Sequence, residues 1–319
     1  MSHWTAKDIP DLQGYTVIVT GANSGLGLQT TRAIAAKRAH VIMACRNLEK
    51  GQQALNSVEA QIPGASVELA ELDLASLESV RLFVAKFREK QTQLNLLFNN
   101  AGVMAIPRAE TKDGFEMQFG TNHLAHYALT GLLLPTLLAT PHSRVVNTTS
   151  FARKFGKINF DDLNRTQKYG RWEAYGQSKQ ANLLFTFELQ RRLAEAHAQT
   201  ISVAAHPGYA NTNLQATSVN TSSARLEGFF YAIGGTWMAQ SAQMGALPQL
   251  FAGISPEIHG GELVGPSSMG GMRGYPHIET KAQKEYDREK AARLWRVSAE
   301  LTGVDYDTAL QIHPNAQIS

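Results

Sequence analysis

The sequence has little cysteine, no long hydrophobic run and no sign of a secretion signal. Cys45 is its single cysteine, which excludes an intramolecular disulfide and fits a reducing compartment. The polar segment 1–12 does not contain the apolar stretch of a signal peptide. The apolar run 129–139 is interrupted by Gly131 and Pro135 and is too short to span a bilayer. We therefore expect a cytoplasmic protein without a membrane contact.

Charge is also sparse and evenly spread. The formal net charge is +3 over 319 residues, and no block of Lys or Arg has the density of a nucleic-acid or acidic-lipid site. The densest basic spot in its region, Arg191-Arg192, is flanked by Glu188 and Glu195, which is typical of a solvated helix face. We expect no nucleic-acid partner.

Short β-branched or apolar runs alternate with longer helical patterns along most of the chain. The predicted strands are 16–20, 40–44, 67–72, 94–98, 144–148 and 200–205. The predicted helices are 26–37, 48–61, 77–90, 114–138 and the one that carries Tyr175. This alternation predicts an α/β fold, a single doubly wound parallel sheet of the Rossmann type with helices on both faces.

The alternation stops between about residues 208 and 274, where Gly, Ser, Asn and Thr are frequent. We interpret this segment as an irregular lid, and residues 280–302 as a helical C-terminal extension. The sequence contains no internal repeat and no second domain boundary. Residues 1–319 are therefore predicted to form one domain.

A glycine-rich turn follows the first predicted strand and opens the first helix. Glycines permit a tight turn and a close approach of the backbone to a ligand, and the start of a helix favours a pyrophosphate. The residues predicted to bind a dinucleotide here are Gly21, Asn23, Ser24, Gly25, Leu26 and Gly27. The alternative is an ordinary strand-to-helix turn that contains glycine.

Arg46 follows the second predicted strand, where a carboxylate would select NAD and an arginine would accommodate the 2′-phosphate of NADP. The sequence Ala44-Cys45-Arg46 has no carboxylate at that point, and a guanidinium matches phosphate geometry well. NADP is therefore the predicted cofactor. NAD is the alternative, if Arg46 is only a surface residue.

Tyr175 and Lys179 are four residues apart, so on a helix their side chains lie on one face, about 5–6 Å apart at Cβ. An ammonium that close favours the phenolate and is expected to lower the tyrosine pKa from about 10 toward the working pH. The pair would then provide a general acid and base. The alternative is a half-exposed helical pair without a chemical role.

Further motifs follow the predicted strands in order. They are Asp73-Leu74, Asn99-Asn100-Ala101-Gly102, Asn122, Ser150 and Pro207-Gly208 followed by Thr212. With the glycine turn and the Tyr175–Lys179 pair, they make the chain resemble a short-chain dehydrogenase/reductase from about residue 15 to 212. The resemblance implies that Asp73 and Leu74 contact adenine, that Asn100, Ala101 and Gly102 line the cofactor, and that Pro207, Gly208 and Thr212 hold the nicotinamide carboxamide.

The same resemblance implies a catalytic set of Asn122, Ser150, Tyr175 and Lys179. Tyr175 would exchange a proton with the substrate oxygen, while Lys179 would lower the tyrosine pKa and bind the nicotinamide ribose. Ser150 would donate a hydrogen bond to the substrate oxygen, with Thr149 as its rival. Asn122 would hold a water that links Lys179 to solvent. The implied reaction is a hydride transfer between the nicotinamide and a carbonyl or alcohol carbon.

Within this family the chain resembles most the branch of retinol dehydrogenases and protochlorophyllide reductases, through residues 121–126, 160–163 and 181–185. A protochlorophyllide reductase-like activity is disfavoured. Those enzymes carry a cysteine shortly after the Pro-Gly pair, where this chain has Tyr209, Ala210 and Asn211. Retinol dehydrogenases usually add a membrane-anchoring segment, which we do not expect in this sequence.

Aromatic and apolar side chains are concentrated in the two segments expected to form the substrate pocket, 151–172 and the residues after Gly208. The candidate lining residues are Phe151, Phe155, Tyr209, Phe229, Phe230, Trp237 and Met238. They favour a small-molecule substrate, a carbonyl compound or alcohol that is bulky and hydrophobic. The alternative is that these side chains pack a lid against the core.

Three questions stay open from the sequence. A nucleotide-sensing protein without catalysis is the alternative to an enzyme, because fold alone does not establish function. His123 and His126 share a helix face, but no third ligand has the spacing of a metal site, so no metal is predicted. Members of the family often dimerise through the helices that contain Asn122 and Tyr175, whereas members with long C-terminal extensions need not. The sequence therefore leaves a homo-oligomer open.

Overall fold

The computed structural model describes residues 3–209 and 240–311 and contains one eight-stranded sheet. The strands are β1 (Thr16–Thr20), β2 (His40–Cys45), β3 (Val67–Glu71), β4 (Leu96–Asn99), β5 (Arg144–Thr148), β6 (Ile201–Ala205), β7 (Leu263–Ser268) and β8 (Arg273–Ile278). Their order is β3-β2-β1-β4-β5-β6-β7-β8. The first seven are parallel, and β8 pairs antiparallel with β7.

Helices cover both faces of this sheet. They are α1 (Gly25–Ala35), α2 (Leu48–Gln61), α3 (Leu77–Lys90), α4 (Ala125–Ala139), α5 (Arg171–Glu195), α6 (Ala242–Ile254), α7 (Arg288–Thr302) and α8 (Asp307–Gln311). One apolar core lies between the sheet and α1, α2 and α6. The other lies between the sheet and α3, α4, α5 and α7. The central strands are therefore buried on both sides, which is why they read as continuous Val, Ile and Leu runs.

The predicted α/β fold, doubly wound with helices on both faces, is confirmed. The six predicted strands begin and end within two residues of the observed ones, and the predicted helices 48–61 and 77–90 match α2 and α3. Ser76 caps α3, since its side chain accepts a hydrogen bond from the backbone N–H of Ser79. The sheet is not wholly parallel, however, because the chain returns through β8.

The predicted lid over 208–274 is wrong for its second half. Most residues of α6 are buried, and this helix packs against α1 and the sheet, while β7 and β8 extend the sheet by two strands. These elements were not predicted, because Pro248 inside α6 and Gly265 and Pro266 in β7 are residues that disfavour a regular helix or strand. Residues 210–239 of the predicted lid, with Phe229, Phe230, Trp237 and Met238, lie outside the described residues.

The predicted long helix 114–138 is interrupted. A short α-helical turn, Met117–Phe119, passes into a π-helical turn, Gly120–Leu124, and only then into α4. Asn122 lies in the middle of the π-helical turn. Such turns often occur at functional sites, because the extra residue changes the direction of the side chains.

The C-terminal extension consists of a 3₁₀ segment, Thr280–Glu285, followed by α7 and α8. Trp295 of α7 and Tyr306 pack against Tyr127 of α4 and Phe185 of α5, with ring centroids 4.6–6.3 Å apart. The extension therefore covers α4 and α5. Among the residues that the structure describes, no helix is long and apolar enough to cross a membrane.

Candidate active site

The candidate site lies at the carboxyl ends of β1, β4, β5 and β6. The strand order reverses between β1 and β4, so the connections after these two strands leave toward opposite faces. Such a switch point opens a crevice at the edge of the sheet, where ligands of doubly wound proteins bind. The predicted site residues that the structure describes follow strands at this edge or lie on α5 and the turn before α4.

The turns after β1 and β4 are fastened to each other. Gly21 has a φ of +67°, which favours glycine, and a Cβ on Gly27 would overlap the Gly21 carbonyl and the Asn100 amide. The Thr20 hydroxyl accepts hydrogen bonds from the backbone N–H groups of Asn100 and Ala101, both at 2.9 Å. Asn100 Nδ2 donates to the Thr20 carbonyl at 2.8 Å. These bonds fix a backbone-lined cradle in front of the start of α1.

The remaining residues of the glycine turn line this cradle. Asn23, Ser24 and Gly25 are half-buried at its open side, while Leu26 is buried under it. Ser24 is the N-cap residue of α1, and its side chain makes no capping hydrogen bond. The first backbone N–H groups of α1 therefore face the crevice, as an anion-binding helix start requires.

Arg46, Asp73 and Leu74 lie at the ends of the two neighbouring strands. Arg46 is exposed directly after β2, whereas Cys45 below it is buried, and burial raises the pKa of the Cys45 thiol to about 11. Asp73 Oδ1 accepts a hydrogen bond from the Ala75 N–H at 3.1 Å, and Leu74 is buried beside it. The structure thus brings all three predicted residues to the same side of the glycine turn.

Ser150 ends the segment after β5 and begins a short 3₁₀ turn, Phe151–Lys154. Its hydroxyl oxygen accepts a hydrogen bond from the Ala152 N–H at 3.2 Å. The loop then meets α5 where two glycines face each other, because a Cβ on Gly156 would overlap the Gly176 carbonyl. This close approach places the Ser150 loop against α5, one residue from Tyr175.

Tyr175 and Lys179 are buried, with 6% and 4% of their surface exposed. Lys179 Nζ lies 5.7 Å from the centroid of the Tyr175 ring and donates to the Thr148 carbonyl at 3.1 Å. Burial raises the pKa of Tyr175 to about 12, although the neighbouring Ser150 hydroxyl acts in the opposite direction. Burial also lowers the pKa of Lys179 to about 8. The expected lowering of the tyrosine pKa is therefore wrong, because burial of the phenol raises that pKa.

Asn122 connects the strand end after β4 to α5. Its Oδ1 accepts from the Val103 N–H at 2.8 Å, and its Nδ2 donates to the Val103 carbonyl and to Ser178 Oγ, both at 2.9 Å. A Cβ on Gly102 would lie 2.9 Å from this Oδ1 and 3.6 Å from Lys179 Nζ. The Asn122 side chain thus holds the backbone beside Lys179, and the water that the resemblance assigns to Asn122 stays a prediction.

Pro207 and Gly208 follow β6 and form the part of the site at the carboxyl end of that strand. Gly208 has a φ of +64°, and the Tyr209 N–H donates to the Met272 carbonyl at 2.8 Å. Gln240 Nε2 donates to the Pro207 carbonyl at 2.7 Å. The turn is therefore tied to the β7–β8 hairpin. Thr212, predicted for the same turn, lies outside the described residues.

Two residues of the site were missed from the sequence. His126 is buried, and its Nδ1 lies 3.1 Å from the Asn122 carbonyl while its Nε2 lies 3.0 Å from the Thr20 hydroxyl. Gln249 of α6 donates to Asn100 Oδ1 at 3.2 Å and accepts from the Thr148 hydroxyl at 3.1 Å. The position of His126 four residues after Asn122 was a signal for the first. The second had none, because α6 itself was not predicted.

The geometry defines a class of protein, an α/β dehydrogenase with a dinucleotide cradle beside a buried Tyr–Lys pair. The sequence model of the family described as short chain dehydrogenase matches residues 15–223. Human retinol dehydrogenase 13 is 41% identical over 299 residues, which cover 92% of this chain and 86% of that protein. Human retinol dehydrogenase 14 is 37% identical, covering 92% of this chain and 88% of its own.

Solved structures share the fold of this chain. An uncharacterised protein from Mycobacterium paratuberculosis is 41% identical with a TM-score of 0.77, covering 96% of this chain and 99% of the other. A short-chain dehydrogenase from Shigella flexneri in complex with NADP has a TM-score of 0.62 at 20% identity, covering 80% of this chain and 98% of the other, and it shows the fold. The chain belongs to the short-chain dehydrogenase family. It is an oxidoreductase that acts on alcohols or carbonyl compounds with a nicotinamide cofactor.

Proposed function

We propose that this protein is an NADP(H)-dependent oxidoreductase that interconverts hydrophobic aldehydes or ketones and the corresponding alcohols. The observation that carries this proposal is the buried Tyr175, with the Ser150 hydroxyl beside it and Lys179 Nζ 5.7 Å from its ring centroid. The nicotinamide supplies the hydride when it is bound. The protein residues supply a proton, a hydrogen bond and a fixed charge next to it.

The phenol of Tyr175 is the proposed proton donor in the reduction. With a pKa of about 12, the phenol is protonated at neutral pH and is ready to donate to the developing alkoxide. In the reverse reaction the same oxygen would accept the proton of the alcohol. The Ser150 hydroxyl, next to the phenol, is placed to donate a second hydrogen bond to the same oxygen.

Lys179 and Asn122 act through position and charge. With a pKa of about 8, the ammonium of Lys179 is mostly charged at neutral pH and stabilises the phenolate left on Tyr175 after the proton transfer. Asn122 keeps Gly102 and Val103 against α5, so that Lys179 Nζ and the cofactor-facing backbone stay in register. Thr149 is not a rival to Ser150, since its hydroxyl donates to the Lys179 carbonyl at 2.7 Å.

We assign the NADP preference to Arg46. Its exposed side chain directly follows β2, the strand whose end lies nearest to the adenosine ribose in this type of site. A guanidinium there forms charge-assisted hydrogen bonds with a 2′-phosphate. The backbone N–H groups at the start of α1 receive the pyrophosphate, and Asp73 and Leu74 border the adenine.

The preference for a hydrophobic substrate rests on exposed apolar side chains around Ser150 and the β7–β8 turn. Phe151, Phe155 and Met269 have 42%, 49% and 51% of their surface exposed, and all three follow the carboxyl ends of β5 or β7. Burying such side chains against a substrate is favourable at about 25 cal/mol per Å². Several relatives are named for retinol, a hydrophobic alcohol, which supports the same substrate class.

We also propose that the protein works in the cytoplasm and that α4 and α5 do not form a subunit interface. Trp295 and Tyr306 of the C-terminal extension already cover these helices.

No observation among the described residues favours a nucleotide-sensing protein without catalysis, because Asn122, Ser150, Tyr175 and Lys179 come together in one site.

The test is turnover of purified protein with NADPH and with NADH against aldehydes and ketones of increasing chain length. We expect NADPH to give a kcat/KM at least about tenfold above NADH, and long-chain carbonyls to exceed short ones with the same reacting group. Equal use of NADH would contradict the role of Arg46. Binding of the two dinucleotides is measured separately by tryptophan fluorescence. If neither binds, the proposed function as a whole is contradicted.

A further inference from the structure

A second cluster of charged side chains lies under the Ser150 loop. The side chain of Arg153 is fully buried, three residues after Ser150. Its Nη2 lies 2.8 Å from Glu279 Oε2, and its Nε lies 3.2 Å from Glu285 Oε2. Its Nη1 donates to the Ser150 carbonyl at 3.4 Å. A guanidinium buried this deeply is costly unless it is paired and hydrogen-bonded, so its partners define where it sits.

The same cluster reaches the turn after β6 through His206. The His206 Nδ1 accepts a hydrogen bond from the Gly208 N–H at 3.2 Å, and therefore its Nε2 carries the proton and donates to Glu279 Oε1 at 2.5 Å. Glu279 thus holds Arg153 with one oxygen and His206 with the other. A single carboxylate connects the loop of Ser150 to the turn of Pro207 and Gly208.

The charge states agree with this hydrogen-bond pattern. Burial lowers the pKa of His206, so that the imidazole is neutral at neutral pH. Burial alone would raise the pKa of Glu279, but His206 and Arg153 outweigh it and lower that pKa to about 2. The cluster consists of one cation, a neutral imidazole and two carboxylates, Glu279 and Glu285.

We propose that Arg153 and Glu279 are positioning residues for the reaction, which hold the Ser150 loop and the Pro207–Gly208 turn at a fixed distance from each other. This inference rests on the proposed roles of Ser150 at the substrate oxygen and of Pro207–Gly208 at the nicotinamide. Glu279 and Glu285 lie beyond the matched family region 15–223. The C-terminal part of the chain therefore completes the geometry of a site whose reacting side chains precede it.

The first experiment compares Arg153→Met with Ser150→Ala and with the double variant. We measure kcat per NADPH-binding site, the Kd of NADPH and the primary isotope effect with NADPH deuterated at the transferred position. For Arg153→Met we expect kcat to fall about 10- to 100-fold, with a larger isotope effect and an NADPH Kd changed by less than about threefold. The double variant should lose less than the product of the two single losses, because both changes act on the Ser150 hydroxyl and only Arg153→Met also acts on the Pro207–Gly208 turn.

Glu279→Gln covers the case in which Arg153→Met does not fold. It keeps the shape of the side chain and removes its charge, and we expect kcat to fall about tenfold. Arg144→Met is the matched control. Arg144 is the first residue of β5 and lies at the amino end of that strand, away from the site at the carboxyl ends. Its Nη1 donates to the carbonyls of Ala252 and Ser255. It should lose stability but keep the wild-type kcat per binding site and the wild-type isotope effect.

The outcomes separate the inference from the function on which it rests. If Ser150→Ala retains full turnover, the proposed role of Ser150 is wrong and the positioning role falls with it. If Ser150→Ala is impaired while Arg153→Met or Glu279→Gln keeps the wild-type kcat and isotope effect, the positioning role alone is overturned. Loss of stability without a change in kcat would show that the cluster only supports the fold.

Discussion

The two sides of the candidate site are built by different kinds of interaction. On the nucleotide side, Thr20, Gly21 and Asn100 are held by hydrogen bonds among uncharged groups and by close backbone packing. On the reacting side, Ser150 and Pro207–Gly208 are held by a buried cation and two carboxylates. The first side joins residues 80 positions apart in the chain, Thr20 and Asn100, whereas on the second side Arg153 is paired with residues 126 and 132 positions away.

The difference reflects what each side has to do. A pyrophosphate brings its own charge, so a cradle of backbone N–H groups serves it well and a fixed carboxylate nearby would oppose it. A hydride transfer needs the reacting groups at fixed distances, and misplacement by about 1 Å is costly. Buried ion pairs are poor sources of stability but can specify a geometry, and this is the role we infer for Arg153 and Glu279.

The largest expected effect is on the free energy of unfolding. It concerns the C-terminal extension, which packs against α5, the helix that carries Tyr175 and Lys179 on the reacting side. Trp295 is 5% exposed and packs against Tyr127, Phe185 and Tyr306, so Trp295→Ala should lower the free energy of unfolding by about 3–5 kcal/mol. Urea unfolding checks this value. Leu301→Ala, at an exposed position of the same helix, should change it by less than about 1 kcal/mol. Equal losses for the two variants would show that α7 is not anchored through Trp295.

The next effect concerns the charge on the reacting side. Lys179→Met removes an ammonium 5.7 Å from the Tyr175 ring centroid. At an effective dielectric constant of about 20, that charge is worth about 3 kcal/mol, and kcat should fall about 10²-fold. Steady-state reduction of a hydrophobic aldehyde measures it. A kcat within a factor of three of the wild type would mean that Lys179 does not stabilise the phenolate.

A smaller effect is expected on the nucleotide side alone. Arg46→Ala removes the charge-assisted hydrogen bonds with the 2′-phosphate, worth about 1.5–3 kcal/mol, so the KM for NADPH should rise about 10- to 100-fold while that for NADH is unchanged. Lys50→Ala removes an exposed cation in the first turn of α2 and should change neither. A parallel rise for both cofactors in Arg46→Ala would argue against recognition of the phosphate.

The smallest effect is the dependence on pH. Lys179, with a pKa of about 8, is charged below that pH and loses its charge above it. The kcat/KM for NADPH, which reports on the free enzyme, should therefore be level from about pH 6 to 7.5 and fall about tenfold per unit above pH 8. Tyr175, with a pKa of about 12, should not contribute in this range. A level profile to pH 10 would contradict the charge assigned to Lys179.

The sequence predicted the elements whose side chains repeat with a clear period. Strands β1 to β6 and helices α2 and α3 contain continuous apolar runs or amphipathic patterns, and α3 begins at the capping residue Ser76. The C-terminal strands lack such patterns. Pro266 and Pro276 stand opposite each other in the β7–β8 pair, and these residues form strands only because the edge of β6 and the packing of α6 favour it.

The candidate site was predicted where a motif and a chemical role coincide. Ser150, Tyr175 and Lys179 come together as expected, since strand ends and one helix face determine their places. The pKa of Tyr175 was misjudged because burial depends on the three-dimensional surroundings and not on the spacing to Lys179. Arg153 and Glu279 were missed for a related reason. An isolated arginine or glutamate carries no sign in the sequence that it will be buried.

The role of Tyr175 as proton donor is tested by a single turnover of Tyr175→Phe saturated with NADPH and mixed with excess hydrophobic aldehyde. We expect NADPH to bind as it does to the wild type, because the cradle after β1 does not depend on the phenol. We also expect the transfer to be slowed by about 10³-fold or more, since the proton donor is gone. A single turnover at the wild-type rate would contradict Tyr175 as the proton donor and with it the proposed mechanism.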